Sequence, residues 1–518
     1  MSADVMQKII SLCKRRGFVF QSSEIYGGLK SAYDYGPLGA ELKRNIINEW
    51  WADMVHRREN VVGLDASIIM QRKVWEASGH LAGFSDPLVD CLVCKNRFRA
   101  DQAPKLAEGV EAPLSFADKG QAKAAAELIE KQFSLTLERR GKDLHGAKGS
   151  GRGYVCPACG SPFLSKERMF NLMFRTSIGA TDPLDEIAEA MESGKFAGLS
   201  GRELRQAIGE INERSAVYLR PETAQAMFVQ FANIQQAMAM KVPFGIAQVG
   251  KSFRNEITVE HFIFRSCEFE QMEMEFFCEP ETAGEWLDFW RNARMDWWRR
   301  YANHPEKFHF REHEADELAH YADKCYDIEY EYPWGQGELE GIANRTDYDL
   351  KKHAQHSGQK LEYFDPVKQQ KFVPYVIEPA AGATRGLLVY LIDAYCEEQL
   401  TDANGKTDTR VVLKLHPRLA PIKVAVLPLV KKDGMPELAR KVVEAFWQHG
   451  IAARYDETHA IGRRYRRHDE IGTPYCLTID GQTKDDQTIT IRDRDTMEQR
   501  RVSVESAVRE VEELLRNS

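Results

Sequence analysis

Arg265, Cys267, Phe269, Gln271 and Glu273 stand two apart within Ile263 to Phe277, a run rich in aromatic residues. Residues two apart share one face of a strand, so this spacing lines up a guanidinium, a ring, an amide and a carboxylate. That row suits a nucleotide beside an amine: a cation for phosphate, a ring for a base, an acid for an ammonium. Phe264, Met272, Met274 and Phe276 make the other face apolar, with Glu268 and Glu270 as exceptions. An ordinary hairpin with one solvated face fits the same pattern, and periodicity alone leaves both readings open. Two cysteine pairs, Cys91-x-x-Cys94 and Cys156-Pro-Ala-Cys159-Gly, form a second constellation. Such turns aim two thiolates at one tetrahedral zinc; four free thiols are the alternative. A third is the stretch Pro379 to Gly386, whose small residues precede a helical pattern, with Arg385 at the mouth of a helix N-terminus that would suit an anion. A fourth gathers Arg463, Arg464, Arg466 and Arg467 around Tyr465, which fits RNA phosphates and unstacked bases or a solvated charged turn.

The elements that must position these groups follow from patterning. Phe244 to Phe253 predicts a strand, a polar loop over roughly 255–261 follows, and Ile263 to Phe277 predicts the return strand, ended by Pro280. Asp4 to Arg16 predicts an amphipathic helix with Val5, Ile9, Ile10 and Leu12 inward. After Gly36-Pro37 a helix starts at Leu38, and Leu38, Leu42, Ile46, Trp50 and Met54 form one stripe four apart. The cysteine pairs are 61 residues apart, with a helical, alanine-rich Lys119 to Phe133 and the glycine-rich GKDLHGAKGSGRG between them. Asp182 to Ser215 reads as helix and loop. Glu222 precedes a helix over Thr223 to Met240, where a first-turn acid suits the dipole. Pro280 to Tyr301 predicts an aromatic-rich core helix. His304, His309, His313 and His320 show no ligand spacing and read as scattered surface histidines. Trp334 to Gly341 reads as a glycine-rich turn, with Glu338 and Glu340 in reach of magnesium or ribose hydroxyls. Phe372 to Glu378 predicts a strand whose start Pro374 leaves open, and LLVYLIDAYCEEQL predicts one helix. Beyond Ala420-Pro421, strand patterns over 422–430, 451–456, 475–480, 489–492 and 501–504 alternate with helical ones over 436–450 and 505–516. That alternation predicts a small α/β domain with a mixed sheet.

A chain of 518 residues suggests about three or four domains. At 43% apolar and 29% charged residues it has ordinary soluble composition. The net charge of −8 advertises no nucleic acid, so such a site must be a local basic patch; residues 421–518 are balanced, with 17 basic and 17 acidic side chains. The N-terminus lacks the apolar core of a secretory signal, and no run is long enough to cross a membrane. Ten cysteines in a chain of this length point to a reducing cytoplasm rather than a disulfide framework.

Several stretches resemble one family. FRNE followed by FRSCEFEQMEMEFF is similar to motif 2 of the class II aminoacyl-tRNA synthetases, in the form found in glycyl-tRNA synthetases of the homodimeric type. YDYGPLGAELKRNIINEWW, LRPETAQ at Leu219 to Gln225, GELEGIANRTDYDL at Gly337 to Leu350 and VIEPAAGATRG at Val376 to Gly386 resemble the same family in the same order. The resemblance implies an α/β (α+β) fold: a class II synthetase-like catalytic domain built on an antiparallel sheet with helices, an inserted zinc-ribbon-like segment, and a C-terminal α/β anticodon-binding-like domain. The implied boundaries are 1–86 for the N-terminal part of the catalytic domain with motif 1, 87–170 for the insertion with both cysteine pairs, and 171–303 for the core with motif 2. A further insertion spans 304–371, motif 3 lies in 372–419, and the anticodon-binding domain is 420–518. The motif 1 helix lies at the dimer interface in the family, which implies a homodimer.

The same resemblance implies that glycine and ATP form glycyl-adenylate and pyrophosphate, and that the glycyl group passes to the 3′ end of tRNA(Gly). ATP is then expected at Arg254, Asn255, Glu256, Phe264, Arg265, Phe269, Glu338, Leu339, Gly382, Ala383, Thr384 and Arg385. Arg254 would serve the α-phosphate and Arg385 the γ-phosphate side as the catalytic pair, and Mg2+ would bridge phosphate oxygens. Glycine is expected at Arg99, Glu222, Phe269, Glu270, Gln271, Met272, Glu273, Glu378, Ala380 and Gly382, with Glu222 facing the ammonium. Cys91, Cys94, Cys156 and Cys159 would hold a structural zinc, and Arg463, Arg464, Arg466 and Arg467 would meet the anticodon. There are two departures from the family: Ala380 stands where it usually has serine, and Thr384 where it often has an acid. Glycine's carboxylate is already ionised, so activation requires no general base. Rejecting larger amino acids is a steric matter that demands no editing site. A class II synthetase for threonine, serine, proline or histidine is one rival reading. A non-enzymatic RNA-binding or polymerase-accessory relative is the other, against which the presence of both Arg254 and Arg385 argues.

Overall fold

Seven strands form the sheet on which the chain is built. In chain order they are β1 Val61–Gly63, β2 Phe244–Phe253, β3 Glu268–Cys278, β4 Phe308–Glu312, β5 Lys324–Tyr332, β6 Gly335–Thr346 and β7 Tyr375–Gly382. Their spatial order is β4-β5-β6-β7-β3-β2-β1. The β4–β5, β5–β6, β6–β7 and β7–β3 pairs are antiparallel, and β1 lies parallel to β2. The computed structural model describes residues 2–104, 114–115, 118–133, 138–145, 154–256, 261–319, 321–401, 405 and 407–518. Two compact units divide the chain: Met1–Ile68 with Glu222–Ser252 and His261–Ser518, and Ile69–Pro221 with Phe253–Glu260.

In the first unit the sheet buries one face against three helices. Pro37–Trp51, Ala283–Arg300 and Ala383–Ala394 bring Ile46, Trp50, Trp290, Trp297, Trp298 and Leu387 onto Met272, Met274 and Phe276 of β3 and Ile377 of β7. The stripe Leu38, Leu42, Ile46, Trp50 and Met54 is wholly buried. Each fully buried large side chain contributes on the order of 2–3 kcal/mol. Two glycines permit close approaches in this layer. A Cβ on Gly39 would sit 1.9 Å from the Phe18 carbonyl oxygen, and one on Gly386 would sit 2.8 Å from Cη2 of Trp298. On the opposite face Phe244, Ile246, Phe277 and Val376 pack beneath Phe228 and Phe231 of the helix Ala224–Ala237 and Leu350 of the helix Tyr348–Ser357. Along β3 that face changes from carboxyls to rings between Glu275 and Phe277.

Several elements differ from the sequence reading. The return strand begins at Glu268, and Phe262–Phe264 is a 3-10 turn. Cys267 is held by the 22–32 loop instead, its N–H donating to the Ser31 carbonyl at 2.8 Å. The glycine-rich stretch after Trp334 is the opening of β6, paired with β5 from Gly335↔Tyr332 onward. β7 begins after Pro374, runs on to Gly382, and leads straight into the helix at Ala383, so no separate turn lies between them. That helix ends at Ala394. Tyr395–Thr401 is a strand paired with Thr407–Leu413, where Glu398 meets the buried Arg410 at 2.6 Å.

The C-terminal part has the mixed sheet that was expected. Val424–Pro428 lies parallel to both Ala453–Tyr455 and Tyr475–Ile479, and Thr488–Asp493 and Gln499–Ser503 follow antiparallel. Helices Met435–Gln448 and Ala507–Asn517 cover it. The arginine-rich stretch is a helix, Ile461–Glu470, and a short helix, Gly481–Asp486, was not anticipated.

Among its described residues the second unit carries three small sheets: one of Arg168–Asn171, Ser85–Asp90 and Arg97–Arg99, one of Arg175–Ser177, Ala216–Leu219 and Ile69–Met70, and one of Leu114–Ser115, Asp143–His145 and Glu138–Arg140. Its helices include Lys119–Phe133, Pro183–Glu192 and Gly201–Arg214, the last closed by a capping box between Ser200 and Glu203. Most of the glycine-rich stretch after Gly141 lies outside the described residues, as do His320 and most of the 255–261 loop. Among the described residues no helix is long and apolar enough to cross a membrane.

Candidate active site

The polar half of the sheet face gathers carboxyl groups. β3 and β7 pair Gln271 with Gly382 and Glu273 with Ala380, and the same register (Phe276↔Ile377) places Glu275 opposite Glu378. Cross-strand neighbours share a face, so Gln271, Glu273, Glu275, Glu378, Ala380 and Gly382 line one side. β6 adds Gly341 beside Ala380 and Ala343 beside Glu378. Thr223 comes from the N-terminus of the helix Ala224–Ala237; both its N–H, at 3.1 Å, and its hydroxyl donate to Oε2 of Glu273. Glu222 accepts from Nε2 of Gln225 at 2.9 Å, and that amide also donates to Asp349 at 3.1 Å. His353 bonds the Gln225 oxygen at 2.8 Å. The Ser252 hydroxyl donates to Gln271 at 2.8 Å.

One guanidinium answers these acids. Arg345, 2% exposed, donates to Asp349 through two nitrogens, at 2.9 and 3.0 Å, and to Glu378 at 2.6 Å, with the Tyr321 ring centroid 3.9 Å from its carbon. Desolvation, with the charges of Glu378 and Glu222 adding to it, raises Glu273 to about 8. Glu275 is raised well above the usual carboxylate range by burial and by Glu378, and Glu378 is raised by burial against the pull of Arg345. Carboxyls gathered in this way favour a cation among them.

Beside it, Arg385 stands in the first turn of the helix Ala383–Ala394. Its Nη1 donates to the Glu338 carbonyl at 2.9 Å and pairs with the Glu338 carboxylate at 3.3 Å, and its guanidinium lies 4.4 Å from the Phe264 ring centroid. A cation over a ring at a helix N-terminus is an arrangement that can hold phosphate and a base.

Not every expected residue joins this face. Glu270 points the other way and pairs with Lys43 at 2.5 Å. Met272 and Leu339 belong to the core, so only their backbone can serve a ligand. Glu340 is fully buried against Arg294 at 2.8 Å and the Trp298 indole, which removes it from magnesium or ribose. Phe269 lines, with Tyr35, Lys43 and Thr384, a cavity of about 600 Å3; Ala383 is buried. Arg265 follows the 3-10 turn, outside the ladder. Within the second unit, Nε of Arg254 donates to the Pro221 carbonyl at 3.0 Å, and its guanidinium lies 5.4 Å from the Phe84 ring. Asn255 donates its N–H to Leu172 and Glu256 its N–H to the Arg254 carbonyl. Arg99 pairs with Asp86 at 3.1 Å and Asp101 at 2.7 Å.

Glu275, Thr223, Gln225, Arg345 and Asp349 were missed. Glu275 lies two residues beyond Glu273, on the same strand face. Arg345 and Asp349 have the spacing of an ion pair across a helical turn. His313 is half-buried and bonds Asp327 at 2.8 Å, with Cys325 in the same cluster, so it is not a scattered surface histidine. His304 and His309 pair with Glu306 and Glu331 at the surface.

All four cysteines come together in the second unit. Sγ of Cys91 is 3.6 Å from that of Cys159, Sγ of Cys94 is 3.7 Å from that of Cys156, and all four lie within 4.8 Å. The two turns match. Lys95 and Gly160 follow the second cysteine of each pair at φ 62° and 70°, and their N–H groups return to the carbonyls of Cys91 and Cys156 at 3.0 and 2.8 Å. Four sulfurs so held fit a tetrahedral divalent ion.

The basic helix divides. Arg464 is 3% exposed and donates to the carbonyls of His459, Pro428 and Leu429, so it supports the domain from within. Arg466 and Arg467 pair with Asp408 and Asp456 and, with Arg463, Arg16 and His459, line a cavity of about 350 Å3. Tyr465 faces inward, its hydroxyl on Thr478.

Residues 423–514 match the family model described as an anticodon binding domain. Over nearly its whole length the chain is similar to proteins named glycine–tRNA ligase. It is 47% identical to that of Treponema denticola over 96% of this chain and 94% of the relative. It is 46% identical to that of Caldanaerobacter subterraneus subsp. tengcongensis over 99% and 98%, and 45% identical to that of Geobacillus thermodenitrificans over 97% and 96%.

Proposed function

This chain belongs to the glycine–tRNA ligase family, and on that premise we propose that the pocket of Glu222, Glu273 and Glu378 receives the ammonium of glycine. The reaction is a two-step ligation. Glycine's carboxylate attacks the α-phosphorus of ATP, an anhydride bond breaks, and pyrophosphate leaves glycyl-adenylate behind. A ribose hydroxyl at the 3′ end of tRNA then takes the glycyl group and AMP leaves. No enzyme nucleophile is required, so the residues work by positioning and charge.

The observation that carries the assignment is the excess of buried carboxyls over Arg345, the cation that pairs with Asp349 and Glu378. A pocket of that sign takes an ammonium and rejects a bare carboxylate. On this reading glycine's α-carbon faces the buried Arg345–Glu378 pair, 2.6 Å long, which a larger side chain would disturb. Ala380 contributes only a methyl group where the family usually has a hydroxyl. Arg385 holds the triphosphate, and Phe264 and Phe269 serve the adenine end. Mg2+ neutralises phosphate charge when bound.

Four thiolates from Cys91, Cys94, Cys156 and Cys159 hold one zinc ion, which organises the 87–170 insertion and takes no part in the chemistry. The helix Pro37–Trp51 contributes to a homodimer interface. Arg463, Arg466 and Arg467 meet tRNA in the cytoplasm. Pyrophosphate exchange tests the central assignment: glycine alone among the twenty amino acids supports it, and Glu222→Gln raises the glycine KM at least tenfold. Equal exchange with a larger amino acid contradicts the assignment.

A further inference from the structure

Glu222, Glu273, Glu275, Glu378 and Asp349 crowd around one guanidinium. Arg345 answers Asp349 and Glu378. Thr223 holds Glu273 through two donors. Glu275 has neither kind of help: it is fully buried, among the described residues no N–H or hydroxyl donates to its carboxyl oxygens, and the Glu378 carboxyl is its side-chain neighbour. It faces Glu378 across the β3–β7 ladder, and the carboxyls of Glu273, Glu275 and Glu378 lie within 4.8 Å of one another. Acids so close in a dry site cannot all be ionised.

We propose that Glu275 is a positioning residue that stays protonated and gives its hydrogen bond to Glu378, and that glycine's ammonium displaces a second proton, held by Glu273 in the empty pocket. The inference rests on the assignment of this pocket to glycine. A neutral Glu275 can turn its O–H toward a Glu378 oxygen left free by Arg345, so Glu378 is held from both sides. Of the other groups on this face, Asp327 lies in the same row as Glu273 but three strands away, raised by burial and bonded by His313 at 2.8 Å. Tyr321 and Cys325 stay protonated, pushed up by burial, and His353 stays neutral, pushed down by burial. Asp349 is held by two nitrogens of Arg345, and Glu222 is bonded by Gln225.

The sign follows from Glu273, which burial raises to about 8. Below that pH the empty pocket holds the proton, an ammonium pairs only with the carboxylate, and one proton leaves with each glycine bound. Glycine KM therefore falls by up to about tenfold per unit as pH rises from 6 toward 8.

Calorimetric titration of glycine into the full-length enzyme at pH 7, in buffers of different ionisation enthalpy, counts the protons. Close to one released per glycine is expected; none released, with a glycine KM flat from pH 6 to 8, overturns the proposal. Glu275→Gln keeps a donor without a charge and should hold the glycine KM within about threefold of the parent, whereas Glu275→Leu should raise it at least tenfold. If Glu275→Gln is as damaging as Glu275→Leu, an ionised Glu275 is required and the proposal fails. Glu273→Gln separates the proton held by Glu273 from the place where glycine binds. A raised glycine KM without pH dependence supports both, and a glycine KM that does not move overturns the pocket assignment itself.

Discussion

Arg345 and Asp349 stand four residues apart across the junction of β6 and the helix Tyr348–Ser357 and close a two-pronged ion pair, at 2.9 and 3.0 Å, with both side chains 2% exposed. The third nitrogen of the same guanidinium reaches Glu378. One side chain thus ties the end of a strand, the start of a helix and the floor of the pocket together. Arg345→Met leaves Asp349 and Glu378 buried without a cation. Its expected cost is about 3–5 kcal/mol of folding stability, read as an earlier midpoint in urea unfolding. A midpoint within error of the parent would mean that the pair carries no structural load.

Arg385 is a different case, since it is held by Glu338 and the Phe264 ring rather than by a core. Arg385→Ala should lower the rate of glycine-dependent pyrophosphate exchange by about 10²–10³-fold, the range seen when one donor to a charged transition state is lost, with little change in melting temperature. Lysine should rescue only part of the loss, because a point charge does not reproduce a planar fork. Full activity in Arg385→Ala would remove the residue from the mechanism.

Metal analysis of the purified chain should find about one zinc per polypeptide, and Cys156→Ser should reduce it to near zero. With cobalt in place of zinc, sulfur-to-metal charge transfer absorption should appear, as four thiolate ligands require. A protein free of metal with all four thiols reactive would refute the site.

Arg463 and Arg464 are neighbours with opposite fates. Arg463 is exposed on its helix, whereas Arg464 is buried on backbone carbonyls. Arg463→Glu should raise the tRNA KM several-fold and lower the salt slope by about one without affecting stability. Arg464→Ala should destabilise by about 1–3 kcal/mol, since it leaves carbonyls unsatisfied. The reverse pattern would place the RNA contact on the wrong side of the helix.

Lys423 is mostly buried and donates to the Arg418 carbonyl at 2.5 Å; desolvation lowers it to about 7, against the partial support of Glu49. The folded chain therefore binds this proton more weakly than the unfolded one, whose lysine titrates near 10.4. Stability from this group rises as pH goes from about 7 toward 10.4, by at most about 1.4 kcal/mol per unit. Lys423→Met should flatten that part of the stability profile, and an unchanged slope would place the cause elsewhere.

The sequence made the hairpin legible because alternation is local: Phe244–Phe253 and the apolar side of β3 follow from period two. The stripe from Leu38 to Met54 and the helix Lys119–Phe133 follow in the same way from helical spacing and composition. What local patterning cannot give is which face a ladder buries. Glu340 looked like a free acid beside glycines, yet its register opposite Ala381 turns it into the core against Arg294. The end of the helix at Ala394 depends on a hairpin partner, Thr407–Leu413, that no helical window contains. Glu275 was within reach of the same rule that picked out Glu273. Arg345 and Asp349 required a long-range fact, that their ion pair closes beneath Glu378.

The most direct test of the account is a crystal structure of the enzyme with a non-hydrolysable glycyl-adenylate analogue. The predicted result is an ammonium about 3 Å from Glu222 and Glu273, its α-carbon against Glu378, and the adenosine end beside Arg385 and Phe264. Density for the aminoacyl end away from those three glutamates would contradict it.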